Sequence, residues 1–556
     1  MTEGRTITWE APAGGQWELE TQHVPGAVPR LFQERGPAAV RGGFEAASKR
    51  YGLPIDYMDA RFVNDHCYMR MRPVGAPEPK PGKASSAPPR FVMWTLARVH
   101  PELRRRARTA RAVLAERRWH DDLRRWESGL RDEMLHTGRA LQAEDLEAMG
   151  DDEVIDHLGR VADHMVRGFN VHFDLMLVHN IPLGRLVAAC RTWGIGDADA
   201  LGLLAGSSPA SAGSTAALRR IADACRAAGV EPRTLDDVRD AGLAASGALD
   251  EYLADHAWRA VTDYTQRALT LIELPDMLVQ AIRAAAGSTP RPEPDAAPFR
   301  ARVPEADRER FDDLLADARR CYGIRDDNVG ITVMWPVGLV RRAILEVGRR
   351  LVDRRVLDEA WEALALGEQE MAAALRGDGA MRDLAYDRIE RGIAYEADGA
   401  PLVLGDSEGG EPDFSAFPAA MAELTMAVID TTVLEGMLGP DAPTEWTGDG
   451  VGVGGATYTG RACVAASPEE ALSRLEPGDV LVTTITTPAY EAIMPVAGAV
   501  VTEQGGLMGH TALVAREYGM AAVVGVVGAT TAIPDGAQIE VDPVAGRVRV
   551  TVGQPT

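Results

Sequence analysis

The sequence predicts a multidomain α+β protein in which a mostly helical region is followed by a C-terminal β/α unit. The chain has 556 residues, which is long enough for three or four domains of ordinary size. Apolar residues recur at helical spacing through most of residues 91–395. Near the C-terminus, short runs of small and β-branched residues alternate with glycine loops instead, which is typical of strands in a β/α unit.

Composition and charge restrict the class of function. Hydrophobic residues make up 46% of the chain and charged residues 25%, as in ordinary soluble globular proteins. The formal net charge of -23 argues against a nucleic-acid-binding surface. Five scattered cysteines without a CxxC pair indicate a reducing compartment and no structural zinc. The N-terminus lacks an apolar signal segment, so we expect a cytoplasmic protein with no membrane partner.

Composition shifts divide the chain into four predicted segments. They are a small β-containing N-terminal part at residues 1–75, the helical region at 91–395, a connector at 396–446 and the β/α domain at 447–556. Pro-rich stretches at residues 73–90 and 287–304 predict linkers or long loops.

Three helix boundaries are predicted from apolar spacing and proline positions. We expect a long amphipathic helix to run from Asp152 and to end near Pro182. A second helix starts at Pro336, because its apolar stripe continues at helical spacing to Leu351. A third helix is predicted at residues 419–438, inside the connector.

The C-terminal unit is organised around one histidine. Two runs of small and β-branched residues, at 496–502 and 521–527, predict buried strands. Between them, Gly505 and Gly506 predict a tight loop, and His510 falls where this loop becomes a helix. A helix N-terminus offers unpaired N–H donors and a partial positive charge, so it suits a group that becomes a dianion. A lone histidine here could equally cap the helix or bond within a turn.

The residues around His510 form a longer pattern, Thr502-x-x-Gly505-Gly506-x-x-x-His510-x-Ala512-x-x-Ala515-Arg516. The pattern closely resembles the phosphohistidine swivelling domain, also called the mobile domain, of enzymes that use phosphoenolpyruvate (PEP) or form phosphohistidine. This group includes phosphoenolpyruvate synthase, pyruvate phosphate dikinase and rifampin phosphotransferase. The resemblance implies that His510 carries the phosphoryl group. It also implies that the surrounding residues shape the site, namely Thr502, Gly505, Gly506, Thr511 and Arg516.

Arg325 is a second candidate catalytic residue. An arginine near a helix end can bind a transferring phosphoryl group through two hydrogen bonds. In rifampin phosphotransferase-like proteins an arginine at this point faces the phosphohistidine, with a lysine four residues later. The resemblance implies this role for Arg325, although Val329 stands at the lysine position. The alternative is an ion pair of Arg325 with Asp326 or Asp327.

Four histidines, His157, His164, His172 and His179, recur at intervals of 7, 8 and 7 residues on one predicted helix face. They could line a substrate pocket, with His164, His172 or His179 as an acid or base, or they could be buried and hydrogen-bonded. Neighbours at this spacing lie roughly 10–12 Å apart along a helix, so two of them cannot bind one metal ion.

Together, the resemblance implies a phosphotransferase component that transfers phosphate from His510 to a hydroxyl of a small, secondary-metabolite-like molecule held by the helical region. The sequence contains no stretch that resembles a nucleotide site. We therefore expect no cofactor bound by this chain alone, with ATP or PEP supplied through a separate protein such as an ATP-grasp partner. Two alternatives stay open. One is a dehydratase or lyase that uses His510 as an acid or base or as a transient phosphoryl carrier. The other is a non-catalytic carrier or regulator.

Overall fold

The structure is a computed structural model that describes residues 7–78, 80, 89–286, 294–405, 413–435, 446–486, 490, 494 and 496–551. The chain divides into two compact units. The first unit comprises Met1–Val178, Trp258–Leu269 and Asn328–Met426, and the second unit comprises His179–Ala257, Thr270–Asp327 and Ala427–Thr556.

Helices dominate the described residues. In chain order they are α1 (Arg30–Tyr51), α2 (Arg90–Val99), α3 (Pro101–Glu116), α4 (Trp119–Arg125), α5 (Arg131–Gln142), α6 (Asp151–Leu175), α7 (Leu177–Thr192), α8 (Asp197–Gly202), α9 (Pro209–Ala227), α10 (Leu235–Asp240), α11 (Leu243–His256), α12 (Pro275–Ala285), α13 (Ala297–Arg302), α14 (Arg308–Tyr322), α15 (Ile324–Val329), α16 (Trp335–Asp353), α17 (Glu368–Leu375), α18 (Ala380–Asp398), α19 (Ala419–Glu435), α20 (Pro468–Arg474), α21 (His510–Tyr518) and α22 (Ala529–Ala532). Short 3-10 turns lie at Leu271–Glu273, Glu305–Asp307, Ala360–Ala365 and Phe414–Ala416, and π-helical segments at Trp126–Leu130 and Gly330–Met334.

The strands form two sheets, one in each unit. They are β1 (Trp17–Leu19), β2 (Ile55–Val63), β3 (His66–Pro73), β4 (Val403–Leu404), β5 (Val451–Val453), β6 (Tyr458–Val464), β7 (Val480–Thr483), β8 (Ala499–Thr502), β9 (Ala521–Val524), β10 (Gln538–Asp542) and β11 (Arg547–Val550). The first sheet has the order β2-β3-β1-β4 and the second has the order β11-β10-β6-β7-β8-β9-β5. The fold class predicted from the sequence is therefore confirmed.

The first unit is built around α6. Gly168 lets this helix approach the π-helical segment Gly330–Met334 closely. A Cβ atom at position 168 would lie 2.0 Å from the Thr332 carbonyl oxygen, so only glycine fits. On another side, the Phe32 ring of α1 packs edge-on against Phe169, with ring centroids 5.6 Å apart. This packing leaves α6 fully enclosed along its apolar stripe, which is where helix stability in proteins mainly originates.

In the second unit, β6 to β9 run parallel and are flanked by antiparallel strands. Every residue of β7, β8 and β9 is buried. The sequences of such strands are continuous apolar runs, because both faces of a parallel sheet are covered by other parts of the fold. The carboxyl end of β8 leads directly into the loop before α21, so the sheet fixes where His510 begins its helix.

Several sequence-based expectations need correction. The chain does not leave the helical conformation at Pro182, because α7 continues to Thr192 with this proline buried inside it. Proline removes only one backbone donor, and burial on both sides of it outweighs that loss. The expected strands are shorter, at Ala499–Thr502 and Ala521–Val524, and Gly525 turns away with φ +73°.

The N-terminal part contains the 22-residue helix α1, which the sequence reading did not predict. Its glycines and Pro37 are poor helix formers, yet Gly43 is needed for close packing, since a Cβ atom there would lie 2.4 Å from the Asn170 carbonyl oxygen. The second Pro-rich stretch contains α13, and its residues 287–293 lie outside the described part. The predicted helix at 419–438 is observed as Ala419–Glu435, and its last three residues also lie outside the described part.

Within the described residues, one helical stretch, Asp151–Thr192, is long and apolar enough to cross a membrane. Of its most apolar window, 72% is buried inside the fold. This extent of burial is the pattern of a core helix.

Candidate active site

The loop from β8 to α21 has a backbone that only certain residues can form. The Thr502 hydroxyl donates to the Gln504 carbonyl at 2.8 Å, which turns the chain immediately after the strand. Gly505 has φ +104°, in a region that L side chains rarely adopt. The Gly509 N–H then donates to the Gly506 carbonyl at 2.9 Å, and Gly509 is the extended residue before the helix. The predicted glycine loop is therefore confirmed in conformation.

His510 is the first residue of α21, as the sequence predicts. Its side chain is partly exposed, but its Nε2 atom is buried and has no hydrogen-bond partner among the described residues. Burial, followed by the nearby charge of Arg325, lowers the pKa of His510 to about 3. The imidazole is therefore neutral at physiological pH, and it keeps the nitrogen lone pair that a nucleophile needs.

Arg325 lies in α15 and belongs to the second unit together with His510. Its Nε atom is 3.8 Å from the Glu435 Oε1 atom, and both side chains are mostly buried. Asp326, one of the two carboxylates that the sequence offers as alternative partners, accepts a hydrogen bond from the Ser208 hydroxyl at 2.8 Å. Val329 occupies the last position of α15.

Arg516, six residues after His510 on α21, contributes a second guanidinium. Burial is the main influence that lowers the pKa of Arg516, and the charge of Arg325 lowers it further, while Tyr322 opposes this. The two arginines are therefore close enough to interact, and Arg325 also lies near His510. A guanidinium beside a neutral imidazole at a helix N-terminus, with a second guanidinium close to the first, favours a bound anion.

Hydroxyl groups complete one side of the site. The Thr511 hydroxyl is buried and lies 2.7 Å from the buried Thr486 hydroxyl. A backbone hydrogen bond from Met508 N–H to the Leu434 carbonyl, at 2.7 Å, ties the histidine loop to the end of α19. Among the described residues, no group of three or more His, Cys, Asp or Glu side chains could hold a metal ion.

The structure thus brings together His510, Arg325, Arg516, Thr511 and the glycine loop in the second unit. Sequence reasoning missed Glu435, Leu434, Tyr322 and Thr486, because each joins the site through a contact between segments that are distant in sequence. Glu435 carries no local signal, since it is one acidic residue at the end of a mostly apolar helix.

The predicted histidine stripe is distributed over two helices. His157, His164 and His172 lie on α6 in the first unit, whereas His179 lies on α7 in the second unit. The His157 Nδ1 atom is 2.8 Å from the Glu144 carboxylate, which fits the hydrogen-bonded alternative for this residue. Burial lowers the pKa of His164 to about 4 and, with a contribution from His23, the pKa of His172 to about 3.

Comparison with known proteins finds a family match in the segment that contains His510 and its loop. Residues 475–546 match the family model described as "PEP-utilising enzyme, mobile domain". The chain is similar to an uncharacterized protein of Mycobacterium tuberculosis, with 29% identity over 52% of this chain and 30% of that protein. It is also similar to an uncharacterized phosphotransferase of Bacillus subtilis, with 30% identity over 44% of this chain and 27% of that protein.

A rifampicin phosphotransferase of a Streptomyces species is 35% identical over 38% of this chain and 21% of its own length. The matched stretch therefore spans less than a third of each of these relatives. The family match covers β7 to β10 and includes the glycine loop and α21. This chain accordingly carries, at residues 475–546, a mobile domain of the PEP-utilising enzyme family, in which His510 opens the helix after the glycine loop.

Proposed function

We propose that this chain is a phosphotransferase component in which His510 carries a phosphoryl group to a hydroxyl of a small molecule. The observation that carries the proposal is the neutral imidazole of His510 at a helix N-terminus, with a buried Nε2 atom that lacks a hydrogen-bond partner among the described residues. A neutral ring nitrogen can attack phosphorus. The bond from phosphorus to the donor oxygen then breaks, and a phosphoramidate forms on His510.

Arg325 and Arg516 would stabilise the charge of the transferring group. The Arg325 guanidinium lies near His510 and Arg516 lies near Arg325, so these donors are already arranged when the phosphoryl group arrives. In the second half-reaction a substrate hydroxyl attacks phosphorus and the N–P bond of His510 breaks. The ring nitrogen keeps the bonding electron pair and returns to its neutral state.

The acceptor in this proposal is a hydroxylated small molecule of secondary-metabolite type. Support comes from the relatives: one is named a rifampicin phosphotransferase and another a phosphotransferase. The proposal assigns ATP or PEP, delivered through a separate protein such as an ATP-grasp partner, as the phosphoryl source. A separate donor protein is proposed because the sequence contains no stretch that resembles a nucleotide site and because the resemblance implies ATP or PEP as the phosphoryl source.

The carrier role can be tested without knowledge of the natural donor. Potassium phosphoramidate transfers its phosphoryl group to accessible imidazoles, so the full chain can be charged chemically and its peptides mapped by mass spectrometry. We expect acid-labile, alkali-stable phosphate on the peptide that contains His510, and none on the corresponding peptide of His510→Gln. The exposed His136 serves as a matched control, because His136→Gln should charge as the parent protein does. Charging that spares His510, or that persists unchanged in His510→Gln, would refute the proposal.

The same material distinguishes phosphorylation from elimination. A charged protein incubated with an acceptor should increase the acceptor mass by one phosphate group. A product lighter by one water molecule, formed without phosphate on His510, would instead indicate a lyase. Incubation with γ-labelled ATP then tests the donor, because we expect label on His510 only when a partner protein is added.

A further inference from the structure

The segment Arg90–Arg118, which comprises α2 and α3, has a charge opposite to that of the whole chain. This basic segment contains nine arginines and two glutamates, so its formal net charge is +7, whereas the chain as a whole carries -23. The basic segment lies entirely in the first unit. Charges in water act over about one Debye length, ~8 Å at physiological ionic strength, so a local excess of this kind attracts anionic partners despite the acidity of the rest of the chain.

Three arginines of the basic segment form a row on α3. Arg104, Arg108 and Arg111 are exposed, and their spacing of four and three residues places them within about 60° of one helix face. The two carboxylates of the segment form ion pairs with other arginines, namely Glu102 with Arg105 and Arg106, and Glu116 with Arg118. Like charges four residues apart destabilise a helix. The row is therefore unfavourable by itself and gains from a partner with several negative charges close together.

Helix α2 of the same segment exposes large apolar side chains. Its buried residues are Met93 and Ala97, which face the fold. The exposed apolar side chains, with their exposed fractions, are Phe91 (72%), Trp94 (51%), Leu96 (40%) and Val99 (61%). At 100° per residue they spread over about 200° of the helix circumference. A short helix that turns so much apolar surface to solvent marks an interaction site.

Arginines near both ends hold α2 in this position. The Arg90 Nε atom lies 3.2 Å from the Asp413 Oδ2 atom. The Arg98 Nη1 atom donates to the Ala416 carbonyl at 3.3 Å, and the Arg98 guanidinium carbon lies 4.0 Å from the centroid of the Trp94 ring. Contacts within the first unit therefore fix α2 with its apolar side outward. Arginine side chains can also keep their charge at the level of lipid headgroups while apolar neighbours enter the layer below.

We propose that the basic segment docks the protein on an anionic lipid surface. The apolar side chains of α2 enter the boundary between headgroups and acyl chains, and Arg104, Arg108 and Arg111 bind the negatively charged headgroups. The charge of the whole sequence predicts no membrane partner, because it averages over this local excess of arginine. The docking does not depend on the proposed function of His510.

A lipid surface fits these observations better than two other anionic partners. Nucleic acid would engage the arginine row but would leave the four apolar side chains of α2 in water. A groove on an acidic protein accepts a helix along one narrow apolar stripe, whereas the apolar side chains of α2 extend around more than half of the helix. Fluid acyl chains adapt to such a broad and irregular apolar surface.

The experiment mixes the full chain with extruded vesicles and separates bound from free protein by flotation on a sucrose gradient. One preparation contains equal amounts of phosphatidylcholine and phosphatidylglycerol, and the other contains phosphatidylcholine alone. We expect the protein to float with the anionic vesicles and to bind the neutral ones about tenfold more weakly or less. Binding to the anionic vesicles should weaken as sodium chloride is added, because salt screens the arginines.

The arginine row is tested by one triple variant, Arg104→Gln, Arg108→Gln and Arg111→Gln. We expect binding to anionic vesicles to weaken on the order of 100-fold, because three charges near the surface are lost. The matched control removes the same number of charges from exposed arginines outside the segment, Arg239→Gln, Arg376→Gln and Arg391→Gln. It should bind as the parent protein does. Urea unfolding separates docking from folding, since the loss of like charges on α3 should leave the triple variant at least as stable as the parent protein.

The apolar side of α2 is tested by Phe91→Ser combined with Trp94→Ser. Both side chains are exposed, so the fold should tolerate the change, while binding to anionic vesicles should weaken on the order of tenfold. Leu243→Ser combined with Ile393→Ser is the control, because these two apolar side chains are also exposed but lie outside the segment.

Flotation of the triple arginine variant equal to that of the parent protein would overturn the inference. So would a parent protein that does not float with anionic vesicles or that binds both vesicle types equally. Retention on polyglutamate or on duplex DNA without flotation, if lost in the triple variant, would assign the arginine row to an acidic protein or to nucleic acid instead. His510→Gln should float as the parent protein does, so failure of the carrier proposal and failure of the docking proposal are distinguishable.

Discussion

Arg325 and Glu435 form an ion pair beside His510, with the Arg325 Nε atom 3.8 Å from the Glu435 Oε1 atom. Leu434, the residue before Glu435, accepts the backbone hydrogen bond from Met508 in the histidine loop. The end of α19 thus holds the loop and also balances the charge of the arginine. In the unphosphorylated protein, the group that would stabilise a phosphoryl on His510 already faces a carboxylate.

We expect Arg325→Ala to slow phosphoryl transfer from His510 on the order of 10²-fold, because one preorganised donor to the transferring group is lost. Charging with phosphoramidate, followed by a time course of phosphohistidine loss, measures this effect. The control is Arg320→Ala, since Arg320 is exposed near the end of α14. If Arg325→Ala and Arg320→Ala transfer phosphate equally fast, Arg325 has no role at the phosphoryl group.

Glu435→Gln tests the other half of the ion pair. Loss of the carboxylate removes repulsion of an incoming anion and releases Arg325 for it, so we expect charging of His510 by phosphoramidate to become several-fold faster. Glu423→Gln provides the control, because Glu423 is exposed on the same helix. Slower charging in Glu435→Gln would mean that the carboxylate organises the site instead of competing with the anion.

The sequence predicts the part of the site that one continuous segment builds. His510, Gly505 and Gly506 follow from local rules, because a buried strand, glycine at positive φ and a helix start leave little choice of conformation. The position of Arg325 came from the resemblance alone. Its ion pair with Glu435 depends on how α15 and α19 pack, and no local pattern in either helix encodes that contact.

The fold, too, is predictable where one continuous segment determines it and not where packing between distant segments does. The buried strands β8 and β9 are predicted because continuous small apolar runs have few other uses, although β8 begins later and β9 ends earlier than the sequence predicts. Helix α1 was missed since its glycines and proline oppose helix formation locally. The close approach of Gly43 to Asn170 on α6 explains why a glycine is tolerated at that position.

The buried hydroxyl pair of Thr486 and Thr511 should behave as a coupled unit. Replacing either residue alone by valine leaves the other hydroxyl buried without its partner, so we expect a loss of about 1–3 kcal/mol in the free energy of unfolding. The double variant removes both polar groups and should lose less than the sum of the two single changes. Urea unfolding of the four proteins measures the coupling, and strict additivity would show that the two hydroxyls do not interact.

Buried neutral histidines should make the protein sensitive to acid, and His164 is the clearest case. It is 5% exposed, its Nε2 atom lacks a hydrogen-bond partner among the described residues, and burial lowers its pKa to about 4 from an ordinary value of 6.5. Between these two pH values the unfolded chain binds a proton that the folded chain does not. The stabilising contribution is therefore complete above pH 6.5 and declines as the pH falls toward 4.

Through His164, the free energy of unfolding should fall by up to about 1.4 kcal/mol per pH unit, or about 2 kcal/mol between pH 6.5 and 5. His164→Gln removes the titrating group, so its free energy of unfolding should fall by less over the same interval than that of the parent protein. Urea unfolding at pH 5, 6 and 7 measures the slope. His136→Gln is the control, because His136 is an exposed histidine on α5. If His164→Gln keeps the slope of the parent protein, His164 is already protonated in the native state, and its surroundings must then supply a compensating anion.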